Sequence, residues 1–250
     1  MNIALIIAGG VGSRMGLDIP KQFVKINDKP VIIYTLESFD KNPQIDAIEV
    51  VCIDGWEEDL KKYADEFGIT KLKWITKGGN SGQESIRNGV YNLVNEGVDP
   101  DATIIIHDGV RPMLDQEIID DVIDKCEKFG NGVSSMPYNE QIFLIDNEES
   151  TVKYIPRETL RRVVTPQAYR LSKLDEAYHK AFAEGIGISG SSYTNTMMVE
   201  LGERLYFAAG SDKNIKLTTL DNLAVFKAML DIQKDSEGNF YDASIKTRNE

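Results

Sequence analysis

Short apolar runs rich in β-branched residues alternate with amphipathic helical patterns along this chain, and that alternation restricts it to one class of architecture. The runs cover residues 3–7, 48–53, 72–76, 103–107 and 132–136. Each has the length and composition of a strand covered on both faces. Helical patterns lie between them. Residues 31–39 follow Pro30, a good first-turn residue, and residues 56–67 stop at Gly68. Residues 85–94 space Ile86, Val90 and Leu93 for one helix face. Residues 117–129 put Ile118, Ile119, Val122, Ile123 and Cys126 on one face and end at Gly130. The series predicts an α/β fold with a Rossmann-like, doubly wound, mostly parallel sheet.

The rhythm changes after Pro137. Residues 141–146 and 151–155 flank the polar turn Asn147-Glu148-Glu149-Ser150, which predicts a β-hairpin inserted into the α/β domain at about 138–157. A hairpin standing off the main sheet needs a partner for its apolar side chains, so a dimerisation arm is expected; folding back on its own domain is the alternative. Further helices are expected at 174–182 and 220–232, and a strand at 205–208. A single domain over 1–233 and a polar C-terminal tail over 234–250 complete the division.

The first strand runs into Ala8-Gly9-Gly10-Val11-Gly12-Ser13-Arg14-Met15, with Pro20-Lys21-Gln22 close behind. Glycines let the backbone turn tightly with its N–H groups exposed, and Arg14 and Lys21 bring two cations to the loop. Such a loop can hold a polyphosphate. It is not the dinucleotide fingerprint, because Met15 stands where G-x-G-x-x-G needs Gly or Ala. Nor is it a P-loop, since no Gly-Lys-Ser/Thr follows. A plain strand-to-helix turn with solvated charges is the alternative.

Composition narrows the partners. The 250-residue chain carries a net charge of −12, so its surface as a whole repels nucleic acid, and local cations must do any phosphate binding. Its two cysteines, Cys52 and Cys126, fall on a strand and on an apolar helix face, as reduced core residues do. No metal-spaced Cys/His cluster exists and no apolar run approaches membrane-spanning length. The chain enters a strand at once, without a signal peptide, and a cytoplasmic protein is expected.

Other candidates fall where strands end, which is where open α/β sheets bind ligands. Gly78-Gly79-Asn80-Ser81-Gly82-Gln83-Glu84-Ser85 puts glycines before a helix and suits close approach to a base or phosphate, although a simple helix-entry loop reads the same way. Asp108, in His107-Asp108-Gly109-Val110-Arg111-Pro112, is placed for a Mg²⁺ that bridges phosphates, or for a helix cap. Arg111 can orient Asp108. His107 and His179 read as structural. Lys216, expected on a short strand, can reach back into the site.

Together these motifs, with Thr165-Pro166-Gln167 and Asn214-Ile215-Lys216-Leu217-Thr218, resemble the cytidylyltransferases that activate 2-C-methyl-D-erythritol 4-phosphate, and more closely the related ribitol-5-phosphate type. The resemblance runs from residue 3 to about 230. It implies a nucleotidyltransferase-like fold and transfer of CMP from CTP to an alditol phosphate such as D-ribitol 5-phosphate, with release of pyrophosphate. By the same resemblance, Arg14, Lys21 and Lys216 are the catalytic cations. Ala8, Gly9, Gly10, Gly12, Ser13, Gly79, Ser85 and Asp108 hold the nucleotide, and Asp108 holds Mg²⁺. Arg111, Arg157, Thr165 and Thr194 hold the acceptor, in this family often across a homodimer interface. The resemblance further implies a product that serves as a precursor of surface polymers.

Three departures bear on the substrate. Gly82 stands where the methylerythritol enzymes usually have Arg, the 139–141 region lacks their Asp-Thr, and Thr194-Asn195 replaces Thr-Asp. The phosphate-handling residues are intact, so the chemistry is expected to persist while the acceptor moves away from methylerythritol phosphate. Another nucleotide with a hexose 1-phosphate, and a nucleotide-binding protein without turnover, are the competing readings.

Overall fold

The computed structural model describes residues 1–10, 16, 19–190 and 193–235, with side chains to 232. Strands β1 (Asn2–Ala8), β4 (Ala47–Cys52), β5 (Leu72–Lys77) and β6 (Thr103–Asp108) coincide with the first four apolar runs, and β7 (Asn131–Pro137) with the fifth. β2 (Lys25–Ile26) and β3 (Lys29–Pro30) make a small separate hairpin. The main sheet has seven strands in the order β11-β7-β10-β6-β1-β4-β5, where β10 is Arg161–Arg170 and β11 is Phe207–Ala208. β1 pairs in parallel with β4 on one side and β6 on the other, placing Ile7 opposite both Val51 and Asp108. The chain therefore reverses its winding direction between β1 and β6, the place where open α/β sheets open a crevice.

Helices cover both faces. On one, α1 (Val31–Asp40), α2 (Glu57–Glu66) and α4 (Gln116–Phe129) bury Ile32, Phe39, Leu60 and Val122 against Ala4, Ile6 and Val50 of the sheet. On the other, α3 (Gly82–Asn95), α5 (Leu171–Glu184) and α6 (Thr194–Glu200) bury Val90, Leu93, Leu174, Tyr178 and Met197 against Ile3, Leu5 and Ile104. α7 (Leu220–Asp235) closes over Val31 and Val110 through Leu223 and Phe226. α4 stops at Gly130 because that residue takes the left-handed backbone that favours glycine, at φ 88°.

The hairpin forms as expected, β8 (Ile142–Leu144) pairing with β9 (Lys153–Ile155) and belonging to no larger sheet. Three expectations need correcting. β10 was absent from the apolar runs, yet it runs antiparallel between β6 and β7 in the middle of the sheet. Its pairing with β7 shifts between Val163 and Gln167, around Pro166, which has no N–H for the ladder. Lys216 is not on a strand; it lies in an irregular segment held by Leu217 N donating to Val110 O at 2.9 Å. The last helix runs through Asp235, past the expected start of the tail, and the rest of the tail lies outside the described residues.

Candidate active site

At the carboxyl end of β1 the described chain continues through Ala8, Gly9 and Gly10, and residues 11–15 lie outside the described residues. Gly9 faces Gly78 so closely that a Cβ on Gly9 would stand 3.2 Å from Gly78 Cα and 3.1 Å from Ser85 Oγ. Only two glycines let these strand ends meet backbone to backbone. Gln22, fully enclosed in the short 3-10 turn Lys21–Phe23, donates through Nε2 to Ala8 O at 2.6 Å and Gly10 O at 3.2 Å. It pins the loop on the side that presents Lys21.

The second glycine loop is built around the start of α3. Ser81 caps the helix by accepting from Glu84 N at 3.1 Å. Ser85 Oγ donates to Ser81 O at 2.9 Å and accepts from Gly79 N at 3.0 Å, folding the loop onto its own helix. At Gly82, one of the three departures, an added Cβ would touch nothing within 4 Å, so the cavity is open there.

The third wall is electrostatic. Asp108, at the end of β6, accepts from Lys216 Nζ at 2.9 Å on one oxygen and from Arg111 Nε at 2.8 Å on the other. Burial works to raise its carboxyl, but the Lys216 and Arg111 charges overcome it and bring the pKa down to about 2. Arg111 also donates to Asn214 O at 2.7 Å, and Asn214 Nδ2 to Thr165 O at 2.7 Å. Thr165 Oγ1 accepts from Asp108 N at 3.2 Å. Three distant segments are thus tied together at one carboxylate. His107 beside it is buried, its pKa lowered to about 4 by that burial, and Nε2 lies 3.0 Å from Arg111 O. A carbonyl only accepts, so the neutral ring donates there and serves as a support, in keeping with its structural reading.

These walls enclose a cavity of about 470 Å³ at the crevice between β1 and β6. Ala8, Gly9, Gly10, Lys21, Gly79, Ser85, Asp108, Thr165, Thr194 and Lys216 all line it. Arg111 stands behind Asp108. Arg157 does not line the cavity: it sits on the turn Arg157–Thr159 at the base of the hairpin, directed to Asn139 O and Glu158. Gly12, Ser13 and Arg14 lie outside the described residues. Sequence reasoning assigned no role to Gln22, Gln167 or Tyr193. All three line the cavity, and the Tyr193 ring lies 5.7 Å from Lys216 Nζ. Gln22 was visible next to Lys21, but nothing local foretold its bonds to the first loop.

A cavity of this volume, lined by two glycine loops and by Lys21 and Lys216, suits a nucleoside triphosphate. Comparison with known proteins agrees. Residues 2–232 match the family model described as IspD: 2-C-methyl-D-erythritol 4-phosphate cytidylyltransferase. The ribitol-5-phosphate cytidylyltransferase of Lacticaseibacillus paracasei is 57% identical over 92% of this chain and 98% of its own length. That of Vibrio parahaemolyticus is 38% identical over 94% and 98%. Among solved structures, the 4-diphosphocytidyl-2C-methyl-D-erythritol synthase of Anaerococcus prevotii superposes with a TM-score of 0.78 over 92% of this chain and 96% of its own; at 21% identity this likeness concerns the fold.

Proposed function

The chain belongs to the IspD cytidylyltransferase family, and on that premise we propose that it transfers CMP from CTP to D-ribitol 5-phosphate and releases pyrophosphate. The observation that carries the reading is the ionised Asp108 holding Lys216 at 2.9 Å on the wall of a cavity that Lys21 also lines. A phosphate oxygen of the alditol phosphate attacks the α-phosphorus of CTP in line. The new P–O bond forms as the bond to the β-phosphate oxygen breaks, and that oxygen leaves with the electron pair. The attacking phosphate is already anionic, so no general base is required. The protein's task is to gather two mutually repelling anions and neutralise a crowded transition state. Lys216 serves the α-phosphate, and Lys21, with Arg14, serves the departing pyrophosphate.

Asp108 fits Mg²⁺ as a single carboxylate. It is ionised, faces the cavity, and keeps lone pairs beyond those used by Lys216 and Arg111. Among the described residues no group of three His, Cys, Asp or Glu stands together, so the remaining ligands would be phosphate oxygens and water, a usual set for this ion. Bound there, Mg²⁺ would supply charge neutralisation on the triphosphate.

The reading extends to a homodimer joined through the hairpin. Ile145 and Val152 are 76% and 87% exposed there, and Phe143, Leu144 and Tyr154 are exposed beside them. An apolar arm of this kind favours burial against a second copy. Arg157, at the arm's base and away from its own cavity, is then available to the partner's. No described helix is long and apolar enough to cross a membrane. Both cysteines are free and buried, which suits a cytoplasmic enzyme making activated alditols for surface polymers.

The test is pyrophosphate release with CTP and Mg²⁺, offering ribitol 5-phosphate and methylerythritol phosphate in parallel. Release with ribitol 5-phosphate is expected. Release with methylerythritol phosphate alone would overturn the acceptor, and release with neither would overturn the activity.

A further inference from the structure

A chain of three buried hydrogen bonds that the reaction above does not use ends at Thr194 on the cavity wall. Gln83, in the first turn of α3, donates through Nε2 to Gly187 O at 2.7 Å. A carbonyl can only accept, so this bond fixes the amide with Oε1 turned away from Gly187. Oε1 lies 3.0 Å from the Tyr178 hydroxyl, and it too can only accept. Tyr178 is fully buried on α5, and burial raises the pKa of its hydroxyl well above the ordinary tyrosine value, so its proton stays on the oxygen and goes to Gln83. Tyr178 Oη also lies 2.8 Å from Thr194 Oγ1. With its own proton committed, Tyr178 accepts there and Thr194 donates. Thr194 lines the cavity, yet its one proton points away from it.

We infer that Tyr178 is a positioning residue that sets the polarity of Thr194, making its hydroxyl an acceptor for a ligand hydroxyl and unfit for a phosphate oxygen. This rests on the nucleotide and alditol-phosphate reading of the cavity. A threonine with a free proton would bind phosphate, as serines and threonines at anion sites do. Here the Thr194 hydroxyl offers only lone pairs, while Lys216 and Lys21 line the same cavity, so phosphates are directed to those cations and a sugar hydroxyl to Thr194. The three bonds join the helix that starts at the glycine loop (Gln83), α5 (Tyr178) and α6 (Thr194), so the polarity is built in before a ligand arrives. The hydroxyl belongs to the ribose of CTP or to the alditol, and the two sources are separable.

The experiment measures calorimetric binding and steady-state KM and kcat for CTP and ribitol 5-phosphate in wild type, Tyr178→Phe, Thr194→Val, Thr194→Ser and the Tyr178→Phe/Thr194→Val pair. Tyr178→Phe and Thr194→Val each should weaken one ligand about tenfold, with kcat changed by less than about threefold, as for one lost hydrogen bond in binding. Thr194→Ser should restore that ligand's KM. The pair should be no worse than Thr194→Val alone, because Tyr178 acts through Thr194. Multiplying losses in the pair, or an unchanged KM in Tyr178→Phe, would overturn the inference. Wild type supplies the second arm, should Tyr178→Phe fold poorly. CTP with its 2′- or 3′-hydroxyl replaced by hydrogen or fluorine, and ribitol 5-phosphate altered likewise one hydroxyl at a time, identify the partner. Fluorine cannot donate, so at the contacted position it should weaken binding as much as hydrogen does. Affinity kept by fluorine but lost with hydrogen would mean that Thr194 donates, and indifference to every replacement would mean that it contacts no hydroxyl; either result defeats the inference. Wild-type turnover with ribitol 5-phosphate separately decides the underlying function, since binding is read independently of turnover.

Discussion

Asp108 shows how much can hang on one carboxylate. Its side chain is only 19% exposed, and it is held near a pKa of about 2 by Lys216 and Arg111 against burial that works the other way. In the unfolded chain it would titrate at about 3.9. A carboxyl depressed by folding contributes stability that is complete above its unfolded pKa and is lost as pH falls through the folded one. Asp108→Asn should therefore lower unfolding free energy at pH 7 by about 2–3 kcal/mol, and the gap to wild type should begin to close below about pH 4. Urea melts of both proteins between pH 7 and pH 3 check this; a gap that is constant with pH would remove the charge argument. The cations themselves are tested by turnover. Lys21→Ala should reduce kcat/KM at least tenfold, about 1.4 kcal/mol of barrier, and near-normal activity would sink its role at the pyrophosphate. At this scale the sequence was informative where chemistry is local. Glycines and cations at a strand end mark a candidate loop before any fold is known, and the structure brings Gly9, Gly10 and Lys21 of that stretch to the cavity wall. It was silent on Gln22, Gln83 and Tyr178, whose roles come from partners such as Gly187, 104 residues from Gln83.

At the scale of elements, legibility followed burial. β1, β4 and β6 are buried nearly throughout and read as unbroken apolar runs. β10 is just as central, but its sequence, Arg-Arg-Val-Val-Thr-Pro-Gln-Ala-Tyr-Arg, carries charges at its exposed start and Thr165 and Gln167 toward the site. A strand that serves a cavity is polar where it does so, and pattern reading misses it. α6 was hidden for want of length, with Met197 and Met198 alone in the core. Glu49 is an exception within a legible strand. Fully buried on β4, it accepts from Thr76 Oγ1 at 2.6 Å and Asn92 Nδ2 at 3.1 Å, joining β5 and α3, and burial raises its carboxyl to about 7. The sign is opposite to that of Asp108. Stability from this group is complete below the unfolded value of about 4.3 and is lost as pH rises through 7. Glu49→Gln should stabilise the protein by up to about 3 kcal/mol at pH 8 and by far less at pH 5. Equal shifts in thermal unfolding at the two pH values would count against a buried charge. Close packing on the same face gives a second test. A Cβ at Gly89 of α3 would lie 2.6 Å from Leu5 Cδ1 and 2.8 Å from Val51 Cγ2, both fully buried. Gly89→Ala should cost about 1–3 kcal/mol in urea unfolding, despite alanine's better helix propensity.

For the whole molecule, the question is whether one chain makes a complete site. The sheet, its two helical layers and the crevice between β1 and β6 bring Lys21, Asp108, Thr194 and Lys216 to one cavity. Arg157 stays on the arm, 57% exposed at its side chain, facing only Asn139 and Glu158 among the contacts described. The arm's apolar residues cannot be buried by β8 and β9 alone, since a two-stranded hairpin has no interior. Association would cover them and carry Arg157 toward a second cavity, whereas an isolated chain would leave both exposed. If so, assembly and acceptor binding share one surface. Replacing Ile145 and Val152 together by Lys should give monomers by sedimentation at micromolar concentration, with CTP binding kept because its loops lie in the body of the chain. The KM for ribitol 5-phosphate should rise at least tenfold, about 1.4 kcal/mol, as expected for a lost charged contact. Wild type sedimenting as a monomer would dismiss the arm as an interface. A monomeric variant with an unchanged acceptor KM would instead keep the interface and exclude Arg157 from the acceptor site.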